Sequence, residues 1–414
     1  MIIDKCPKSL QAFVAPLSQR LSKPQRARLW MVIVAWVMTG RVGKVLRWAL
    51  ASKSGHRTSF AAFLTRSDWA SAEMLRAAVE RELLRLRPQR GEILEWVIDD
   101  TRIAKRGRKM AGLSKIWDHA EQRFVHGHIV VTAALRFRGL IWPWQIELWL
   151  PLRYTGKKAY RKMTDIAAQM IHDFPNFAGV RVHVLFDAFY LCPQVTKACA
   201  GRGWQWFSVA SRNRNFTPEK GKRRRLAAWS PGYLRYHGQR VRMRRSRGWR
   251  WLKIAAATGH LSRIGAVRAV VSKRPNDSWK NMVVFVTNAT EMQARDIVAH
   301  YERRWDIETL FKELKGTLGF GAYQVLNEQG ICHHLHLCCL THVWLTRQSL
   351  DALDAKARKA KVVSLPSLPQ RLESTRARMR AERLSRQVRR TRNPAWRRKL
   401  KHCLTELLPA SSAA

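Results

Sequence analysis

The chain is poor in acid. Its 414 residues carry 29 Asp+Glu against 77 Lys+Arg, a formal net charge of +48. That imbalance excludes a self-neutralising surface and calls for a polyanionic partner, with nucleic acid ahead of anionic membrane. Long apolar runs are missing as well. The longest, Trp30 to Met38, lies between Arg28 and Arg41 and falls well short of the ~20 residues a spanning helix needs. The opening Met1-Ile2-Ile3-Asp4 has neither the charged region nor the cleavage site of a signal peptide. A cytoplasmic protein, nucleoid-associated when at work and without a membrane partner, is expected. Cysteine is scarce: seven residues, an odd number, with no CxxC pair, which argues for reduced thiols over a disulfide framework. Cys332, His333, His334, His336, Cys338, Cys339 and His342 do crowd together, and zinc would use four such groups. Yet Ile331, Leu335, Cys338, Cys339 and His342 recur at helical spacing, so a buried helix is the better reading. No internal repeat is found.

Hydrophobic residues make up 46% of the chain, enough for a substantial core, and the length allows two to four domains. Residues 1–90 read as helical, with proline-free Arg26–Leu50, a short helix at Ser59–Leu64 and an apolar helical stripe in Ser71–Leu86. Gly40, Gly43 and Gly55 interrupt the pattern. A DNA-binding or dimerising head and a plain helical cap explain this region equally well. From Leu94 strands take over: Leu94–Ile98, Ile129–Leu135, Gln145–Leu150, Val180–Phe186 and Trp204–Val209, with helices at Lys162–Phe174 and Pro193–Gly201. This is an α/β unit with a mixed sheet. Residues 212–253 hold fifteen Lys+Arg and one acid, Glu219, interleaved with Trp229, Tyr233, Tyr236, Trp249 and Trp251. Such a mixture suits gripping phosphates and stacking on exposed bases. Strand-like Ala266–Ser272 and Met282–Thr287 make the same region β-rich. A linker at Ser364–Pro369 leads to an Arg-rich helix, about Arg371–Val388, and an end that frays after Leu408.

Three acids stand out by position. Asp100 and Asp187 each end a hydrophobic strand, where a rigid sheet edge could share a cation; either could equally cap a turn. Glu308 lies in Tyr301–Lys315, which on one continuous helical wheel places Ile307, Leu310, Phe311, Leu314 and Leu318 on a core arc. Tyr301, Arg304, Glu308 and Lys315 fall on a neighbouring arc, so one carboxylate shares its stripe with two cations and a phenol. That arrangement suits metal-assisted phosphodiester chemistry, and it is also what an ordinary salt-bridged surface helix looks like.

The spacing Tyr301-x2-Arg304-x3-Glu308-x6-Lys315 resembles the YREK signature of the DDE transposases in the insertion-sequence-four-like group. Asp99-Asp100-Thr101 and Phe186-Asp187-Ala188-Phe189-Tyr190 resemble that group's first and second catalytic motifs, in the right order over residues 94–345. The resemblance implies an RNase H-like catalytic core at residues 91–211 and 291–350, split by a β-rich insertion at 212–290 and flanked by helical regions at 1–90 and 351–414. It implies Asp100, Asp187 and Glu308 as catalytic metal ligands for two Mg²⁺ or Mn²⁺ ions, with no zinc. Asp99 is expected to face the other side of its strand in a structural role. Tyr301, Arg304, Lys315, Lys312 and Trp279 are expected at the DNA. Where relatives carry a base-stacking tryptophan this chain has Val283, and Trp279 is the nearest substitute. This departure leaves open whether excision takes the base-flipping, hairpin-forming route or another. The expected activity is transposition of a bacterial insertion sequence: cleavage of terminal-repeat DNA and joining of its 3′-hydroxyls to target DNA by a dimer. The alternatives are an RNase H-like nuclease or resolvase without strand transfer, and a non-enzymatic DNA-binding protein.

Overall fold

The computed structural model describes residues 5–39, 56–118, 122–245, 248–391 and 393–407. Gly40, Gly43, Gly55, the second half of the Arg26–Leu50 stretch and the end beyond Leu408 lie outside the described residues.

Helices α1 (Lys8–Val14), α2 (Lys23–Thr39), α3 (Arg57–Thr65) and α4 (Ser71–Arg85) come first. The strands follow: β1 (Ile93–Ala104), β2 (Ser114–Asp118), β3 (Arg123–Phe137) and β4 (Leu140–Trp149). Between β3 and β4, Arg138 (φ 48) and Gly139 (φ 84) are both left-handed, as a type I′ hairpin turn requires. Pro143 in β4 has no N–H to give, and the ladder shifts register beside it. Helices α5 (Leu152–Ala159) and α6 (Met163–Asp173) lead to β5 (Arg181–Phe186), and α7 (Pro193–Gly201) leads to β6 (Gln205–Val209). Then come β7 (Asn215–Pro218), β8 (Arg224–Arg225), α8 (Leu226–His237), β9 (Gln239–Arg245), β10 (Gly248–Leu261), β11 (Gly265–Lys273) and β12 (Val283–Thr287). Helices α9 (Ala294–Glu302), α10 (Trp305–Glu313), α11 (Glu328–Asp351), α12 (Ala355–Arg358), α13 (Leu368–Arg390) and α14 (Pro394–Leu407) finish the described chain.

The result is a mixed α/β protein on one mixed sheet. β4, β3 and β1 are antiparallel, whereas β1, β5 and β6 are parallel. From β6 the sheet continues antiparallel through β12, β11 and β10, and β10 pairs further with β9 and β7. The basic block therefore extends the same sheet. It is less purely β than its sequence promised, because α8 forms across Pro231.

One face of the sheet is sealed by aromatics: Trp96 of β1 packs on Trp144 (5.8 Å) and on Phe174 just after α6 (4.1 Å). The other face receives α9 and α10. Glu95, directly opposite Arg136 in the ladder, is buried between Arg136 and Arg303, and Arg136 also reaches Asp306. Burial pushes the Glu95 carboxyl up, but His300, Arg136 and Arg303 outweigh it and hold it at about 2.

The N-terminal helices share a core with α11 and α13. Val32 to Val37 of α2 are all buried, and Trp36 Nε1 donates to Leu318 O (2.7 Å). The crowded His and Cys residues lie in α11. His333 Nδ1 donates to Leu64 O (2.7 Å), and His336 Nδ1 shares a hydrogen bond with Ser71 Oγ (2.8 Å). Cys338 and Cys339 are buried apolar filling. The linker ends earlier than its two prolines imply, because Ser367 caps α13 and Pro369 sits in its first turn, where no N–H is needed.

Burial holds His183, His334 and His336 at about 3, against roughly 6.5 unfolded. A depressed folded value means stability that is complete above pH ~6.5 and lost as pH falls toward 3. At pH 5 each histidine has given up about 2 kcal/mol. Calorimetric melting is expected at a much lower temperature at pH 5 than at pH 7.5; equal midpoints would contradict three buried neutral imidazoles.

Candidate active site

Two parallel strands bring the acids together. Ile98 of β1 is registered with Phe186, the last residue of β5, so Asp99 stands beside Asp187; β1 itself runs on against β3 to Ala104, which corrects the expectation that Asp100 ends its strand. Alternation then sends Asp99 to the face of α9 and α10, and Asp100 to the opposite face. The contacts agree with both directions. Arg304 Nη1 donates to Asp99 Oδ2 (2.7 Å), while the Tyr190 hydroxyl donates to Asp100 Oδ1 (3.2 Å). Asp187 Oδ1 accepts from the backbone N–H of Phe189 (2.9 Å) and Tyr190 (3.3 Å), so this carboxylate does cap its turn while standing at the strand end.

Like charges crowd here. Burial first, and then Asp187 and Asp100, push the Asp99 carboxyl up to about 7 despite Arg304. Burial and Asp187 likewise raise Asp100, against the pull of Arg102, Tyr190 and Lys315. Tyr190 is fully buried, and burial with the three aspartates raises its pKa far out of reach, so its hydroxyl stays a donor.

Glu308 enters through Arg304. The same guanidinium that holds Asp99 donates from Nη2 to Glu308 Oε1 (2.6 Å), forming one carboxylate–arginine–carboxylate bridge. Arg304 is only 8% exposed and lies 5.7 Å from the Tyr301 ring centre. Tyr301 is 6% exposed, packs on Phe285 at 5.2 Å, and has its phenol pushed up to about 12, chiefly by burial. Lys315 Nζ donates to Arg102 O (2.7 Å), Lys312 is exposed, and Trp279 lies under Lys273 (5.2 Å) and Arg235 (5.8 Å). Val283 opens β12, four residues beyond Trp279, and is partly exposed.

The continuous helix assumed for Tyr301–Lys315 is corrected by the structure. α9 ends at Glu302 and α10 starts at Trp305, with Arg303 and Arg304 in the turn between. Lys315 lies in a π-helical segment, Leu314–Leu318, which left-handed Gly319 (φ 67) closes. Tyr301, Arg304 and Glu308 are grouped by contact rather than by one helical stripe.

A family model described as DDE superfamily endonuclease matches residues 16–270, more than half of the chain. The chain belongs to the DDE superfamily endonucleases. The match spans Asp99, Asp100 and Asp187 of this DDE endonuclease and stops before Glu308. Among curated proteins, nothing matches the chain. Membership makes it a nuclease-type enzyme with a nucleic-acid substrate, from a family that generally uses divalent metal ions. The donors at the strand ends are all carboxylate oxygens, and their mutual repulsion is what a hard divalent cation relieves, so the chemistry of the set fits. Among the described residues no group of three or more His, Cys, Asp or Glu side chains is arranged to hold a metal ion, and Glu308 is bonded to Arg304.

Three members of this centre went unassigned in the sequence: Tyr190, Asp99 as the partner of Arg304, and the Glu95 network behind it. Two signals were there to find, a tyrosine three positions after Asp187 and a lone acid inside apolar Leu94-Glu95-Trp96-Val97. Asparagine at position 100 keeps an acceptor for Tyr190 and removes a charge that burial and Asp187 oppose. In EDTA at pH 7.5 the Asp100→Asn chain is therefore expected to melt at or a few degrees above the parent in circular dichroism. A clear drop would mean that the charge of Asp100 supports the fold.

Proposed function

We propose that this DDE endonuclease is the transposase of a bacterial insertion sequence in the insertion-sequence-four-like group, cutting transposon ends and joining their 3′-hydroxyls to target DNA. The observation that carries the reading is the bridge from strand-end Asp99 through Arg304 to Glu308, with Asp187 on the adjoining strand. It draws the YREK residues and both aspartate motifs into one place. The strand order β4-β3-β1-β5-β6, three antiparallel strands and then two parallel ones, supports an RNase H-like core. The strands that follow β6 support an insertion at residues 212–290.

Asp100, Asp187 and Glu308 would hold two Mg²⁺ or Mn²⁺ ions, with Asp99 beside them on the Arg304 face. When bound, such ions activate a water or 3′-hydroxyl and stabilise the leaving oxygen. The chain's own residues position that chemistry. Tyr190 fixes one oxygen of Asp100, and the backbone N–H groups of Phe189 and Tyr190 fix one of Asp187. Arg304 holds Asp99 and Glu308 at a set separation while buried itself. Tyr301, protonated and packed under Phe285, supports Arg304 and offers no nucleophile. Lys312, Lys315 and Trp279 are the members of the set through which the DNA would be held. Two ends cut in concert call for a homodimer around paired DNA ends.

The test is strand transfer, with the element's own labelled end duplex, supercoiled target plasmid, and Mg²⁺, Mn²⁺ or EDTA. Metal-dependent joining is expected, falling at least ~10³-fold in Glu308→Gln and Asp187→Asn. Both variants should keep DNA affinity within about twofold, since the phosphate contacts that dominate affinity are untouched. Cleavage without joining would replace the transposase with a nuclease or resolvase. Binding without either reaction would leave a DNA-binding protein.

A further inference from the structure

The hairpin of β9 and β10 has two unlike faces. Met243, Leu252 and Ile254 point inward and are buried. On the outward face Trp249 and Trp251, two residues apart, are 59% and 54% exposed. Arg242 stands directly opposite Trp251, with its guanidinium 5.0 Å from the Trp249 ring centre, and Arg240 is paired opposite Lys253 one step along the ladder. Large apolar side chains at this exposure usually mark a binding surface. The hairpin also forms one wall of a cleft of about 600 Å³, lined by Arg240, Trp251, Arg274, Pro275, Asn276 and Asp277. Neither Arg240, Arg242 nor Arg274 is salt-bridged among the described residues, and Asp277 is already committed, its Oδ1 accepting from Ser278 N (2.9 Å) and Asn281 Nδ2 (2.6 Å).

We propose that this face and cleft bind single-stranded DNA, with bases stacked on Trp249 and Trp251 and phosphates held by Arg240, Arg242 and Arg274. The spacing selects for unpaired strands. Residues i and i+2 of a strand stand about 7 Å apart, whereas stacked bases of a duplex rise only ~3.4 Å along each strand. Each indole therefore matches one unstacked base, and a duplex offers its bases to neither. Exposed aromatics beside arginines are the means by which proteins hold single strands with little regard to sequence. β10 lies four strands along the sheet from β5, about 19 Å sideways by the usual strand spacing, and Trp249 and Trp251 stand further out along it, before its pairing with β11 begins at Lys253. The cleft is thus separate from the cutting centre, close enough to take a strand that leaves it, and its binding needs no metal.

The full chain is titrated against fluorescein-labelled 12-nucleotide oligothymidine and against a 12-base-pair duplex, by anisotropy in EDTA at fixed salt. Trp251→Ala is expected to weaken oligothymidine binding about tenfold, and Trp249→Ala with Trp251→Ala together more, while Trp251→Phe keeps most of it. Duplex affinity should stay within twofold throughout, and oligothymidine should quench tryptophan fluorescence less in the double variant. Both indoles are exposed, so melting temperatures should not move. Unchanged oligothymidine affinity in the double variant, or parallel loss of single-strand and duplex binding in a chain that melts normally, would overturn the proposal. Asp187→Asn serves as the control: it should bind oligothymidine like the parent, whatever becomes of the transposase reading.

Discussion

Side-by-side parallel pairing of β1 and β5 brings Asp99, Asp100 and Asp187 together, half-buried, where β5 ends and β1 runs on with β3. Carboxylates so placed repel one another, and the surrounding residues answer that repulsion. Arg304 sits between Asp99 and Glu308, Tyr190 donates to Asp100, and backbone N–H groups cap Asp187. Behind them a second acid, Glu95, is matched by Arg136 and Arg303 so well that its carboxyl stays ionised. The contrast is informative. Glu95 is compensated within the protein and ties α9 and α10 to the sheet, whereas Asp99 and Asp100 are raised, first by burial and then by the neighbouring aspartates.

The charge of the whole chain runs the other way. A molecule with a net charge of +48 attracts phosphate over much of its surface and keeps its few acids where they are placed with purpose. Of 29 acids, four meet near the ends of β1 and β5. A polyanionic substrate is thus drawn to a basic exterior, against which these few acids stand out. The sheet that holds the acids runs on into β10 and β9, where the exposed aromatics stand. Cutting centre and basic extension share one rigid framework.

Much of this was legible beforehand. β5 could be read because its apolar run ends abruptly at aspartate, and α11 because its His and Cys residues recur at helical steps; β1 was read too short, since it carries on through polar Asp99 to Arg102 as far as Ala104. The pairing of the N-terminal helices with α11 could not be read, since it depends on contacts between residues more than 260 apart, such as Leu64 with His333. Nor could the break at Arg303 and Arg304. Periodicity carries no mark of a turn whose residues keep right-handed helical dihedrals. Arg304, at the start of α10, reaches Asp99 and Glu308 together. The arginine expected to bind phosphate from a helical stripe is instead buried, and Asp99, set aside on alternation alone, is its partner. Strand alternation was sound; the position of the helix across the sheet was the missing quantity.

The most direct measurement is Mn²⁺ binding by isothermal titration calorimetry at pH 8, with the parent chain beside Asp187→Asn, Asp100→Asn and Glu308→Gln. If the crowded carboxylates are a divalent-cation site, the parent binds Mn²⁺ and each variant loses more than tenfold in affinity while melting normally. Equal Mn²⁺ affinity in the parent and in Asp187→Asn would contradict it.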